Sequence, residues 1–277
     1  MHYEGLRDRE QHRNKVEKMR LWIQIASALR TSIIAIPSSF LGTHEVSGDV
    51  QIIVEDMREV ADLAAPAGIQ IAYEALAWGT YIDTWEQAWD VVQKVDRPNF
   101  GICLDTFNIA ARVYADPTTE SRKNPDAEED MKRSIDRLVR SIDVEKIAYV
   151  QVVDAEFLSQ RLTEDHAFYN EEQPARMSWS RNCRLFYGEE NLGAYLPIKA
   201  ILKAIVEDLG FEGWISAELF NASLTDSSTS VPQQHAQRAI ESWQKILKDC
   251  SLEVPSTERP ELSKSRTASE HRHRAQL

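Results

Sequence analysis

Apolar residues recur along this chain with two alternating periods. Val16, Met19, Leu21, Trp22, Ile25 and Leu29 lie at helical spacing and predict a helix over 9–30. The run SIIAIPS at 32–38 is short, apolar and β-branched, the pattern of a buried strand. The alternation then repeats: a helix over about 50–66, a strand at 69–74, a helix through Lys94, a strand at 99–105. Thr84 starts the second of these helices, because a Thr hydroxyl can accept from the free N–H groups of a first turn. A short helix and a longer one over 127–141 lead to a strand at 147–153. A helix near 197–208 closed by Gly210, a strand at 213–219 and a last helix over 232–248 complete the pattern. Between them, 157–196 reads as a long irregular segment. Strands alternating with helices predict an α/β protein with a parallel sheet.

The spacing favours a TIM (β/α)8 barrel over a doubly wound sheet. Glu74 and Asp105 are 31 positions apart, close to the roughly 30 residues per unit that ~250 residues in eight units imply. No Gly-rich phosphate fingerprint follows a strand. Only five strands are visible, however, and the first predicted element is already a helix. The expectation is therefore a barrel lacking its first three βα units, covering 1–250, with a smaller open sheet as the alternative. Beyond Cys250 the chain is rich in Ser, Glu and Arg, so 251–277 is expected to be a disordered tail.

The strand ends carry the candidate chemistry. Glu74 closes IQIAYE, Asp105 closes FGICLD, Gln151 lies in IAYVQVVD and Glu218 closes WISAE. Four oxygen-bearing side chains at the carboxyl ends of successive strands point to converging ligands on the face where α/β barrels keep their sites. Three carboxylates and an amide form an all-oxygen set suited to a hard cation such as Mg²⁺ or Mn²⁺. Each has a plainer reading. Glu74 and Glu218 are also suited to capping the next helix, and Asp105 to N-capping the helix after it. Asp154 is the substitute if Gln151 is not a ligand.

Composition narrows the partners. The net charge is −12, and the stretch from Ser251 carries five Lys and Arg against four Glu, so the acidity belongs to the body. An acidic body disfavours nucleic acid and anionic membranes but leaves room for a small anionic substrate. Cys103, Cys183 and Cys250 form no C-x-x-C pair, and Cys103 reads as a buried small apolar residue. No apolar run is long enough for a membrane span. These features lead us to expect a soluble, cytoplasmic protein.

Five stretches carry a resemblance: MHYEGLRDREQH, the block from Tyr73 to Pro117 (YEALAWGTYIDTWEQAWDVVQKVDRPNFGICLDTFNIAARVYADP), YVQVVDAE, QPARMSWSRNCRLFYGEE and FEGWISAELFN. Over about 1–248 the chain resembles the fungal 3-dehydroshikimate dehydratases, a branch of the xylose-isomerase-like TIM-barrel superfamily. The resemblance implies Mn²⁺, Co²⁺ or Mg²⁺ held by Glu74, Asp105, Gln151 and Glu218, and conversion of 3-dehydroshikimate to protocatechuate in quinate and shikimate catabolism. It also implies about three further βα units upstream.

Removing a proton beside a ketone builds enolate charge, which a divalent cation stabilises while a base takes the proton. Arg184 suits a substrate carboxylate, and Ser178 and Ser180 suit substrate hydrogen bonds. His166 in the long segment and His2 are the candidate bases. Some bacterial relatives place a histidine three residues after the ligand Asp, where this chain has Asn108, which cannot serve. The other histidines read as peripheral, and Trp22, Trp85, Trp89 and Trp243 as packing. Another superfamily activity such as sugar isomerisation, or an inactive open barrel that self-associates through its strand edges into a homo-oligomer, are the rival readings.

Overall fold

The computed structural model describes residues 3–252. His2 and nearly all of the expected tail lie outside the described residues. One sheet holds five strands: β1 (Ile33–Pro37), β2 (Gln70–Glu74), β3 (Phe100–Asp105), β4 (Ile147–Gln151) and β7 (Ile215–Ser216). Each pairs in parallel with the next in chain order. Parallel neighbours need crossover connections, and helices supply them. β3 is buried along its whole length, as a central strand must be when helices cover one face and the curved interior lies on the other.

The helices bury the stripes that their spacing predicts. α2 (Val50–Ala64) turns Ile53, Met57, Val60, Ala61 and Ala64 inward, and α3 (Trp85–Val95) turns Trp85, Ala88, Trp89 and Val92 inward. The Thr84 hydroxyl accepts from Gln87 N while the Gln87 side chain returns to the Thr84 N–H, a complete capping box. α5 spans Ala127–Ser141, as its pattern predicts. Gly210 follows α7 (Ile198–Lys203) and its wide last turn, Ala204–Asp208, at φ +70°, where glycine pays no Cβ penalty.

α1 (Arg9–Leu29) and α8 (Val231–Asp249) differ. They flank β1 and β7, which have a sheet neighbour on one side only among the described residues. α1 buries Val16, Met19 and Ala26 but leaves Leu21, Ile25 and Leu29 exposed. On α8, Ile240 and Trp243 are exposed. Trp85 and Trp89 are buried in the packing between helix and sheet, whereas Trp22 and Trp243 are 36% and 40% exposed. A groove of about 260 Å³ runs between α1 and β1, lined by Met19, Trp22, Ile25, Leu29 and Ile34.

Two predicted spans change. The strand expected at 213–219 is reduced to β7, because as the outer strand it bonds only to β4, through Val150 N to Trp214 O and Val152 N to Ser216 O. The segment 157–196 is not irregular throughout. It contains α6 (Ala175–Cys183), and just after α6 the strand β6 (Arg184–Leu185) pairs antiparallel with β5 (Asp154–Ala155), which precedes the segment. α6 has no clean apolar stripe: Ser178 and Ser180 are buried beside Met177 and Trp179, so periodicity alone does not reveal it.

Candidate metal centre

The sheet register brings the four strand ends to one place. Glu74 lies opposite Cys103, Asp105 opposite Gln151, and Gln151 opposite Ser216. Side chains two residues apart share a strand face. Asp105 therefore faces with Cys103, while Glu218, two residues beyond β7, reaches the same place from the segment that follows that strand. Glu74, Asp105 and Glu218 each offer an oxygen within 4.8 Å of the others. Gln151 sits at the same level, its Oε1 accepting from the Cys103 thiol at 3.6 Å.

Glu74 and Asp105 are buried, Glu218 is partly so, and the cluster is crowded by like charge. Burial pushes the Glu74 carboxyl well up, and the neighbouring Asp105 and Glu218 charges raise it further. Glu218 is also raised, by burial first, although Arg184 opposes the shift. Carboxylates crowded out of water are stabilised by a cation among them. The donor set thus fits a hard divalent ion: all ligating atoms are oxygens, and neither histidine nor thiolate takes part among the described residues.

Two further side chains complete the centre. Arg184, 1% exposed, donates from Nη1 to Asp105 Oδ2 at 2.9 Å and Glu218 Oε2 at 3.1 Å. Its Nε donates to Ser180 Oγ at 3.0 Å, and its guanidinium lies 4.4 Å from the Phe107 ring centroid and 5.5 Å from that of Phe220. Asn108, on α4 (Thr106–Val113), donates from Nδ2 to Glu74 Oε1 at 2.8 Å and Asp105 Oδ2 at 3.0 Å. Of the two readings of Asp105, the structure shows the helix N-cap, its Oδ1 accepting from Phe107 N and Asn108 N, and it also places the side chain in the carboxylate cluster.

The remaining candidates are placed as follows. Ser180 orients Arg184. Ser178 is buried in α6, its carbonyl accepting from Asn182 Nδ2. Asp154 turns to the backbone: its Oδ1 accepts from Ala155, Tyr195 and Leu196 N–H groups, and burial raises its pKa to about 7. His166 lies against the Phe168 ring, inclined by 55°, and accepts that residue's N–H at its Nδ1, with no contact to the cluster. His12, read as peripheral, is buried between Tyr3 O and the Glu59 carboxylate, away from the cluster. The plates around Arg184 and the bonds of Asn108 were missed. A weak signal existed: Asn108 stands three residues after Asp105, the spacing that returns a helical side chain to the same side.

Residues 3–249 match the family model described as "Xylose isomerase-like TIM barrel". A 3-dehydroshikimate dehydratase of Neurospora crassa is 52% identical over 269 residues, covering 96% of this chain and 75% of the relative. A 3-dehydroshikimate dehydratase of Pseudomonas aeruginosa is 30% identical over 219 residues, covering 79% of this chain and 28% of that longer protein. Among solved structures, a xylose isomerase-like TIM barrel/4-hydroxyphenylpyruvate dioxygenase fusion protein superposes with a TM-score of 0.67 at 25% identity. That match covers 90% of this chain and 33% of the fusion protein. The parallel βα succession, the inward strand ends and a model match over nearly the whole described chain lead to one assignment: the chain belongs to the xylose isomerase-like TIM-barrel family.

Proposed function

We propose that this chain dehydrates 3-dehydroshikimate to protocatechuate and water, using a divalent cation, Mn²⁺, Co²⁺ or Mg²⁺, held by Glu74, Asp105, Gln151 and Glu218. The 52% identity to a dehydratase of that name across 96% of the chain carries this reading. The buried carboxylate cluster supports it, because the chemistry calls for positive charge where an enolate oxygen develops. The bound cation would supply Lewis acidity at the substrate ketone.

The chain's own side chains have separable tasks. Arg184 is fixed by two carboxylates, a serine hydroxyl and two aromatic rings, so its guanidinium presents a preset direction to a substrate carboxylate. Ser180 holds Arg184, and Ser178, two residues earlier in α6, hydrogen-bonds substrate in this reading. A histidine, His166 or His2, takes the proton beside the ketone in this reading. An acid returns that proton to the β-hydroxyl, which departs as water, and a further ring proton then passes to the ketone oxygen to give the aromatic catechol.

The test is direct. Purified chain with Mn²⁺ and 3-dehydroshikimate should produce the ultraviolet absorbance of protocatechuate, and EDTA should abolish it. Glu74→Gln and Asp105→Asn should each lower turnover by at least roughly 100-fold, because losing even a group behind a metal ligand costs about 10- to 100-fold. His166→Ala at parental turnover would remove that residue as the base. No catechol under any metal condition would sink the dehydratase reading.

A further inference from the structure

Asn108 uses both ends of its amide at the carboxylate cluster. Its Oδ1 accepts from Ala77 N at 3.1 Å, in the turn after β2. That bond fixes which end is oxygen, so the NH₂ must face Glu74 and Asp105. There it donates to Glu74 Oε1 at 2.8 Å and Asp105 Oδ2 at 3.0 Å, from a side chain 4% exposed. The helix backbone holds the remaining Asp105 oxygen, Oδ1, through Phe107 N at 2.7 Å and Asn108 N at 3.3 Å. Glu74 therefore has one oxygen committed on the side of α4, whereas Asp105 has both, its Oδ2 also accepting from Arg184 Nη1.

A carboxylate with one oxygen so committed is ready to ligate through the other alone. Turning both oxygens to an ion would break the bond to Asn108 inside a buried site, where an unpaired amide donor is costly. Ions differ in what they require. Ca²⁺ takes six to eight oxygens and commonly uses carboxylates with both oxygens, whereas Mg²⁺-like ions demand near-octahedral geometry.

We infer that Asn108 is a positioning residue that sets the ion preference of this centre, confining Glu74 to one ligating oxygen and so favouring Mn²⁺ over Ca²⁺. The inference rests on the proposed metal site and adds a cause for its selectivity. It also gives a role to a side chain that is neither ligand nor base.

The experiment is calorimetric titration of the metal-stripped full chain with Mn²⁺ and, separately, Ca²⁺, for the parent, Asn108→Ala and Asn108→Ser. Circular dichroism of the metal-free proteins checks folding, and the smaller polar serine provides a second variant if alanine does not fold. The parent should prefer Mn²⁺. In the variants Mn²⁺ binding should weaken roughly 10- to 100-fold, the range seen when groups behind metal ligands are lost. Ca²⁺ binding should weaken less, so that the Mn²⁺/Ca²⁺ ratio falls at least tenfold. The electron paramagnetic resonance spectrum of bound Mn²⁺ should change in parallel. A ratio retained within about twofold, with both ions weakened equally or neither affected, would assign Asn108 a merely structural role. A parent that binds no Mn²⁺ would overturn the metal site itself, a distinct result.

Discussion

Arg184 keeps its charge at the centre of the molecule because its Nη1 and Nε donors and its flat faces are all compensated. Two carboxylates take Nη1, Ser180 takes Nε, and Phe107 and Phe220 present their ring faces. Removing the guanidinium leaves Asp105 buried without its counter-charge, while Glu218, 36% exposed at its side chain, is partly relieved by water. Arg184→Met should destabilise the metal-stripped chain by about 3 kcal/mol, the lower end for a broken buried pair. Urea unfolding measures this, and added Mn²⁺ should restore part of the loss by supplying charge to the same carboxylates. An unchanged urea midpoint would show that Arg184 does not stabilise the cluster.

Glu4 offers a pH test away from the centre. It is buried, accepts from Ser39 N at 2.7 Å and from the Tyr73 hydroxyl, and burial raises its pKa to about 7. A carboxyl raised in the folded state holds its proton there after the unfolded chain has lost it. Stability from this group is present below about pH 4.5 and declines as pH rises toward 7. At pH 8 the accumulated cost is on the order of 3 kcal/mol. Glu4→Gln should therefore flatten the fall in unfolding free energy between pH 5 and 8. A parent and variant with parallel pH profiles would refute it. At this scale the sequence shows which residues are ligand-like at strand ends. It does not show the bonds of Asn108 to Glu74 or of Arg184 to Asp105, which cross 34 and 79 positions.

Elements are held by backbone approach as much as by side chains. Gly101 lies early in β3, where β3 and the turn before β4 come together. A Cβ there would meet Lys146 O at 2.4 Å and Gln70 Nε2 at 3.2 Å. Because the first of these is backbone, Gly101→Ala should cost about 2 kcal/mol by overpacking. Chemical denaturation measures it, and full parental stability would show that the strands can separate at that point. The elements most legible from sequence are those whose own residues decide them. α3 has its capping box and stripe, and α5 its period. α6 was hidden because its burial depends on partners elsewhere: Arg176 donates to Ala111 O and Ala115 O, and Trp179 packs on Phe107 and Tyr195.

For the whole molecule, an acidic cluster inside the sheet makes stability depend on cation. A ligand that binds only the folded chain adds about 2.7 kcal/mol at 100 times its dissociation constant. Thermal unfolding should therefore shift upward with added Mn²⁺ and return on chelation, and the shift should vanish in Glu74→Gln. A melting temperature indifferent to Mn²⁺ in the parent would count against a cation site. No helix among the described residues is long and apolar enough to cross a membrane. Cavities of about 260 and 400 Å³ lie at the edge of β1 and one of about 390 Å³ lies beside α5 and α7, whereas the space next to Asp105 and Asn108 is only about 10 Å³.

Local order was determined by the sequence itself. The succession of strands and helices, and the polar residues that end each strand, follow from periods of two and of about 3.6, which involve only near neighbours. Tertiary structure decided what those ends do together. The register of β2, β3, β4 and β7 makes four scattered side chains one centre, and the folded path from β4 to β7 delivers Arg184 to it. Such contacts depend on which distant surfaces meet after loops close, and no local period encodes that.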